Sequence, residues 1–222
     1  MQICPSILEP TVDSLVSTIN RLSPFYKYFQ IDIADGIFVA NKTVQIDEIK
    51  KSIQQLNNET MKQCFFDFHL MVSDFKSDIN KLNDLKKFIN IKNIFIHLSA
   101  IENFKMKIEE LSSLPIGLTL NPQDQVDDLV RHYNLTNIPT IQIMSVTPGV
   151  QGNPFLPDTL KKIEQIRVLG YRNEIFLDGA VNDKTLPFIN EQKFKPDVVC
   201  PGSFLTKAKD LEKNVKYLKQ LT

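Results

Sequence analysis

Met144-Ser145-Val146-Thr147-Pro148-Gly149-Val150-Gln151-Gly152-Asn153-Pro154-Phe155 is the first of three stretches with one grammar. The others are Leu177-Asp178-Gly179-Ala180-Val181 and Cys200-Pro201-Gly202-Ser203. In each, a short apolar run meets a glycine turn and then a helical pattern. Glycine there lets the backbone take positive φ or approach a ligand closely. Three such turns in succession predict a phosphate cradle at the C-terminal mouth of a parallel β/α barrel, where loops after the last strands bind phosphate. Asp178, an acid at the tip of one of these runs, adds a chemical group to the same mouth.

Working outward, the same alternation fills the chain. Strand patterns fall near 2–7, 27–33, 63–70, 93–98, 115–120, 139–145, 173–178 and 197–201. Helical patterns fall near 11–22, 44–56, 77–89, 101–111, 124–134, 157–169, 183–192 and 207–220. Thr11, Ser77 and Asp183 are suitable helix caps, and Pro157 suits a first helical turn. Eight β/α units without a linker predict one (β/α)8 TIM barrel, a single domain over residues 1–222, with a doubly wound open sheet as the alternative.

The strands carry a second pattern. Buried parallel strands usually read as continuous apolar runs. Here Tyr28, Gln30 and Asp32 share one face and Phe29, Ile31 and Ile33 the other. Asp67, His69 and Met71 oppose Phe66, Phe68 and Leu70, and Phe95 and His97 oppose Ile94 and Ile96. Gln142 and Met144 oppose Ile141 and Ile143. The apolar set fits beneath helices, so the polar set points into the barrel lumen. Ser6, Gln30, Asp32, His69, His97, Met144 and Asp178 then converge near the mouth, where buried charge is costly unless paired or bound to metal.

Composition narrows the class. Equal numbers of basic and acidic residues, 26 each, give no electrostatic case for nucleic acid or an acidic membrane. No apolar run approaches the roughly 18 residues of a spanning helix. The start of the chain has no basic region and apolar core of a secretory signal, which predicts a cytoplasmic protein. Cys4, Cys64 and Cys200 sit in apolar runs and read as buried free thiols.

These residues give the chain its resemblance to the ribulose-phosphate 3-epimerase family. The similar segments are Pro5-Ser6-Ile7-Leu8, the run from Ile31 to Asn41, Asp67 to Val72, Ile96-His97 and Leu120-Asn121-Pro122. Met144 to Gly149, Leu177-Asp178-Gly179 and Gly202-Ser203 complete them, in the family's order and spacing. The resemblance implies epimerisation at C3 of a ketopentose 5-phosphate of the ribulose 5-phosphate/xylulose 5-phosphate type. Asp32 and Asp178 would be the two acid/base groups, on opposite faces of a planar enediolate. One divalent metal ion, zinc, manganese, iron or magnesium, would be held by Asp32, His69 and Asp178 and would stabilise that intermediate. Ser6, Met71 and Met144 would contact substrate. The phosphate would lie on Gly149, Gly152, Asn153, Gly179, Ala180, Gly202 and Ser203, with a helix N-terminus after the last strand favouring its charge. A homo-oligomer is implied.

Four departures modify that expectation. Gln30 stands where the family has a fourth ligand, a histidine, and an amide oxygen is a weak ligand for zinc-like ions. Ala34 replaces a methionine, Ala180 a second glycine, and Ile37 and Ala40 a histidine and a proline in the loop after the second strand. A reaction on another phosphorylated keto sugar and a non-catalytic sugar-phosphate binder are therefore the alternatives. Related decarboxylase and aldol-synthase barrels resemble one another in an Asp-x-Lys-x-x-Asp motif on the third strand, and Asp67-Phe68-His69-Leu70-Met71-Val72 has no lysine. His97 reads as pocket wall or packing, His132 as solvated, and Asp35-Gly36 as a turn or a substrate contact.

Overall fold

The structure is a computed structural model that describes residues 1–56, 59–101, 107 and 112–221. Its strands are β1 (Gln2–Ile3), β2 (Ser6–Ile7), β3 (Tyr28–Ala34), β4 (Phe65–Met71), β5 (Asn90–His97), β6 (Ile116–Leu120), β7 (Thr140–Met144), β8 (Glu174–Asp178) and β9 (Val198–Cys200). All pair in parallel in the order β1-β9-β8-β7-β6-β5-β4-β3-β2. The expected first strand is broken at Cys4-Pro5, since proline cannot donate to a ladder. Its first half pairs with β9 and its second half with β3, so the sheet closes on itself. Cys4 N donating to Val199 O at 3.0 Å and Gln30 N donating to Pro5 O at 2.9 Å hold the seam. The barrel, rather than the open sheet, is the fold.

The two strand faces separate as their alternation predicts. Phe29, Ile31, Ile33, Phe66, Phe68, Leu70, Ile141 and Ile143 join the apolar layer under the helices. A smaller lumen cluster contains Cys4, Tyr28, Phe95, Phe176, Val198 and Cys200, with the Phe95 and Phe176 rings edge to face at 5.0 Å. Below the mouth, Asp67 is wholly buried but satisfied. It accepts from Tyr28 Oη, from Asn93 N at 3.0 Å and from Asn93 Nδ2 at 2.9 Å. Burial still lifts its pKa to about 7 against those donors.

The helices are α1 (Val12–Leu22), α2 (Ile46–Leu56), α3 (Glu59–Lys62), α4 (Phe75–Leu85), α5 (Val126–His132), α6 (Leu160–Val168), α7 (Leu186–Asn190), α8 (Ser203–Thr206) and α9 (Leu211–Leu221). Thr11 caps α1 in a capping box with Ser14. Two expected caps are corrected. Asp74, not Ser77, caps α4, its carboxylate accepting from Ser77 N at 3.1 Å. Helix α7 starts after Thr185 rather than at Asp183, because Asn182 instead folds a turn, Oδ1 accepting from Lys184 N and Thr185 N. Pro157 opens a 3₁₀ turn ahead of α6. The expected last helix near 207–220 is α9, which starts at Leu211, and the short α8 precedes it as an unexpected turn of helix. The expected helix over 101–111 lies mostly outside the described residues. Among the described residues, no helix is long and apolar enough to cross a membrane.

Candidate active site

Parallel pairing brings the chemistry to one height of the barrel. Asp32 on β3 is in register with His69 on β4, and Met144 on β7 with Asp178 on β8. One ligand atom each from Asp32, His69 and Asp178 lies within 4.8 Å of the others. His69 Nδ1 is 3.1 Å from Asp32 Oδ1 and 3.7 Å from Asp178 Oδ2. The two acids are also linked beneath by Gln30, whose Nε2 donates to Asp32 Oδ1 at 3.0 Å and to Asp178 Oδ2 at 2.6 Å. Gln142 Nε2 adds a longer contact to Asp178 Oδ2 at 3.4 Å.

Burial makes this arrangement electrostatically tense. Desolvation and the adjacent Asp32 push the Asp178 pKa up to about 7, opposed by His69 and the Gln30 amide. A buried acid whose proton affinity is raised in this way suits acid/base work near neutral pH. Two carboxylates and one imidazole also form a donor set that fits a divalent metal of the zinc, manganese or iron kind. No lysine or arginine reaches the pair among the described residues. Gln30 is therefore the neutral bridge between the acids, with its Oε1 facing the Cys200 thiol at 3.7 Å.

Above this floor, Ser6, Met71 and Met144 line the mouth together with Asp32, His69 and Asp178. The expected cradle residues Gly149, Gly152, Asn153, Gly179, Ala180, Gly202 and Ser203 line the same cavity. Ser145 ties two of the loops together, Oγ donating to Gly179 O at 2.6 Å and N donating to Asp178 O at 2.7 Å. Gly179 has φ +117°, and a Cβ there would lie 2.7 Å from Val146 Cγ2. The expected helix N-terminus after β9 is the single-turn α8, too short to add a substantial dipole. The thiols of Cys4, Cys64 and Cys200 are buried and free, as expected.

Three residues carry contacts that the sequence reading did not assign to them. Asp35 anchors the loop after β3. Its carboxylate accepts from Ile37 N, Phe38 N, Ser73 N and Ser73 Oγ at 2.7–2.8 Å. Slight burial raises its pKa, but these donors outweigh it and bring the value down to about 2. The loop reaches across the mouth, placing Val39 against Gly149 and the Phe38 ring 4.9 Å from His97. His97 is not simple wall. Its Nε2 is 2.8 Å from His69 Nε2, behind the ligand cluster. Burial and the neighbouring His69 hold its pKa well below the ordinary histidine value, against the Asn121 side chain. Alternation placed His97 on the lumen face, but cross-strand contact with His69 required the register. Gln151 Nε2 also reaches the Gly202 turn, and only its place in the glycine-rich segment hinted at that.

A closed parallel barrel with paired acids and an imidazole at its C-terminal mouth defines a (β/α)8 enzyme of the kind that works through mouth loops. Within that class, the chain belongs to the ribulose-phosphate 3 epimerase family, whose profile matches residues 2–204. It is thus an enzyme of the isomerase class. Among similar curated proteins, the ribulose-phosphate 3-epimerase of Helicobacter pylori strain 26695 is 29% identical over 216 residues, 95% of this chain and 93% of that one. The one from Methanocaldococcus jannaschii is 28% identical over 200 residues, covering 87% and 78%. Among solved structures, 3-hexulose-6-phosphate synthase from Salmonella typhimurium superposes with a TM-score of 0.65 at 12% identity, covering 100% of this chain and 98% of that one. At that identity the likeness is one of fold.

Proposed function

We propose that this chain is a ketopentose-phosphate 3-epimerase that interconverts ribulose 5-phosphate and xylulose 5-phosphate by two-aspartate proton transfer through an enediolate. The observation that carries this is the pair Asp32 and Asp178, from strands on different sides of the mouth, joined by Gln30 and flanked by His69. Substrate would lie between the two carboxylates. Asp178, protonated in part near neutral pH, would deliver a proton to C3 on one face, while Asp32 would remove the C3 proton from the other. In the reverse direction the roles exchange. A divalent metal ion held by Asp32, His69 and Asp178 would supply electrophilic stabilisation of the enediolate oxygens. Ser6 would contact the sugar, Met71 and Met144 would pack on the planar intermediate, and the Gly149–Asn153, Gly179–Ala180 and Gly202–Ser203 turns would hold the phosphate. The loop carrying Phe38 and Val39 would exclude water from the mouth.

The test is wash-out of the C3 proton of ribulose 5-phosphate in D₂O, with added Zn²⁺ or Mn²⁺ and with a chelator. Metal-dependent exchange with appearance of xylulose 5-phosphate supports the reading. Saturable binding of the sugar phosphate without exchange would instead mark a binder. Exchange only on another keto-sugar phosphate would move the substrate assignment, for which exposed Ile37 in the mouth loop is the residue to examine.

A further inference from the structure

The loop after β7 carries a side chain to which the reaction gives no role. Gln151 reaches across to the loop after β9. Its Nε2 lies 3.1 Å from the point where a Cβ on Gly202 would stand, and Ser6 Oγ on β2 lies 3.0 Å from the same point. Three segments remote in sequence thus meet over one glycine. They meet closely because position 202 has no side chain, since a Cβ there would press on both polar atoms. All three residues line the mouth cavity, and among the described residues no lysine or arginine lines it. An anion at this end must therefore be met by dipoles, and few side-chain dipoles are open. Asn153 Nδ2 is committed to Thr147 O at 2.7 Å, and Asn182 Nδ2 to Ala180 O at 2.8 Å. The Gln151 amide has no hydrogen-bond partner among the described residues, which leaves it the one lining amide with both N–H donors open. Such a donor gains most from a charged acceptor, whose hydrogen bonds are roughly twice as strong as neutral ones.

We propose that Gln151 is a binding residue of the phosphate cradle, its side-chain amide donating to a phosphate oxygen over the Gly202 turn, with the neighbouring Ser6 hydroxyl left for the sugar. The glycine turns offer backbone N–H groups from each loop separately. Gln151 adds a side chain that reaches from one loop to another, so a bound phosphate joins the loops after β7 and β9. The inference rests on the sugar-phosphate reading of the mouth, so its test reads phosphate binding apart from turnover.

Inorganic phosphate is the probe, titrated by calorimetry into the wild type, Gln151→Ala and Gln151→Glu. Gln151 is partly exposed and belongs to no buried cluster, so both variants are expected to fold. Gln151→Ala deletes a hydrogen bond to a charged group and is expected to bind phosphate about 10-fold more weakly. Gln151→Glu keeps the size but sets a carboxylate against the anion, and is expected to lose about 100-fold or more. With ribulose 5-phosphate, KM is expected to rise in the same order and by more than kcat falls, because the phosphate is not a reacting group. Wild-type phosphate affinity in either variant, or no phosphate binding by the wild type at millimolar concentration, would overturn the proposal. Tighter binding by Gln151→Ala would also overturn it, by showing that the side chain obstructs the cradle. Exchange of the C3 proton is scored separately. A wild type that exchanges this proton, with phosphate affinity unchanged in Gln151→Ala, removes Gln151 from the cradle and leaves the proposed function standing. A wild type that binds phosphate through Gln151 without exchange upholds the inference and marks a binder.

Discussion

The amide nitrogen of Gln30 lies 2.6 Å from Oδ2 of Asp178. It also reaches Asp32, so a neutral donor occupies the point where two buried carboxylates would otherwise repel one another. The amide softens that repulsion but supplies no full charge, and Asp178 keeps a pKa of about 7. A cation in the site would do the same work more strongly.

Gln30→His is therefore expected to bind divalent metal more tightly, by about 10-fold or more, and to reach full epimerase activity at lower metal concentration. Three ligands remain in the wild type, a number that catalytic zinc sites commonly use. Isothermal titration with Zn²⁺ and Mn²⁺ on both proteins checks this. Unchanged affinity would mean that position 30 does not face the metal.

Asp178→Asn removes an acid/base group and a ligand together. Loss of general acid–base catalysis alone corresponds to about 10²–10⁴-fold in rate, so C3 exchange is expected to fall by at least that much and not to return with excess metal. Recovery at high metal would leave Asp178 as a ligand only.

Ala180 is the one non-glycine residue with positive φ among those described, at +50°. Its carbonyl is pinned by Asn182 Nδ2 at 2.8 Å and Thr185 Oγ1 at 2.6 Å, which holds the strained turn in place. Left-handed backbone costs an L-residue roughly 1–2 kcal/mol, partly offset by the greater chain entropy that glycine loses on folding. Ala180→Gly is expected to raise the thermal midpoint slightly, whereas Gly179→Ala, clashing with Val146, is expected to lower it and to weaken phosphate binding. Calorimetry with and without inorganic phosphate measures both effects.

The Asp35 carboxylate holds the mouth loop through four donors, and its folded pKa of about 2 lies below the usual value of 3.8. A depressed acid contributes stability that is present above the unfolded pKa and is lost as pH falls through the folded one. Protection of the Ile37, Phe38 and Ser73 amides is therefore expected to be full at neutral pH and to decline from about pH 4 toward pH 2. Asp35→Ala is expected to remove that protection at neutral pH and to raise KM more than it lowers kcat. Hydrogen exchange followed by NMR reads the first effect and steady-state kinetics the second. Unchanged amide protection in Asp35→Ala would show that the loop is held by Phe38 and Val39 packing instead.

The barrel, the two faces of its strands and the membership of the mouth are legible in the amino-acid sequence. Those properties are written in local periodicity: alternation along β3, β4 and β7 and glycine turns after β7, β8 and β9. Asp32, His69 and Asp178 could be placed together because they stand at the ends of lumen-facing runs, and parallel pairing brings such ends to one height. Helix boundaries were less legible, because side chains such as Asp74 and Asn182 compete for the same backbone donors as their neighbours Ser77 and Asp183. The partnering of the polar groups, by contrast, follows from the closed barrel. Gln30 bridges acids 2 and 148 residues away along the chain, and His97 meets His69 across 28 residues. Such contacts depend on barrel closure and strand register to within about an ångström, since hydrogen bonds fail beyond that tolerance. Sequence pattern specifies which face a side chain takes, and only the closed barrel specifies which atom it meets there.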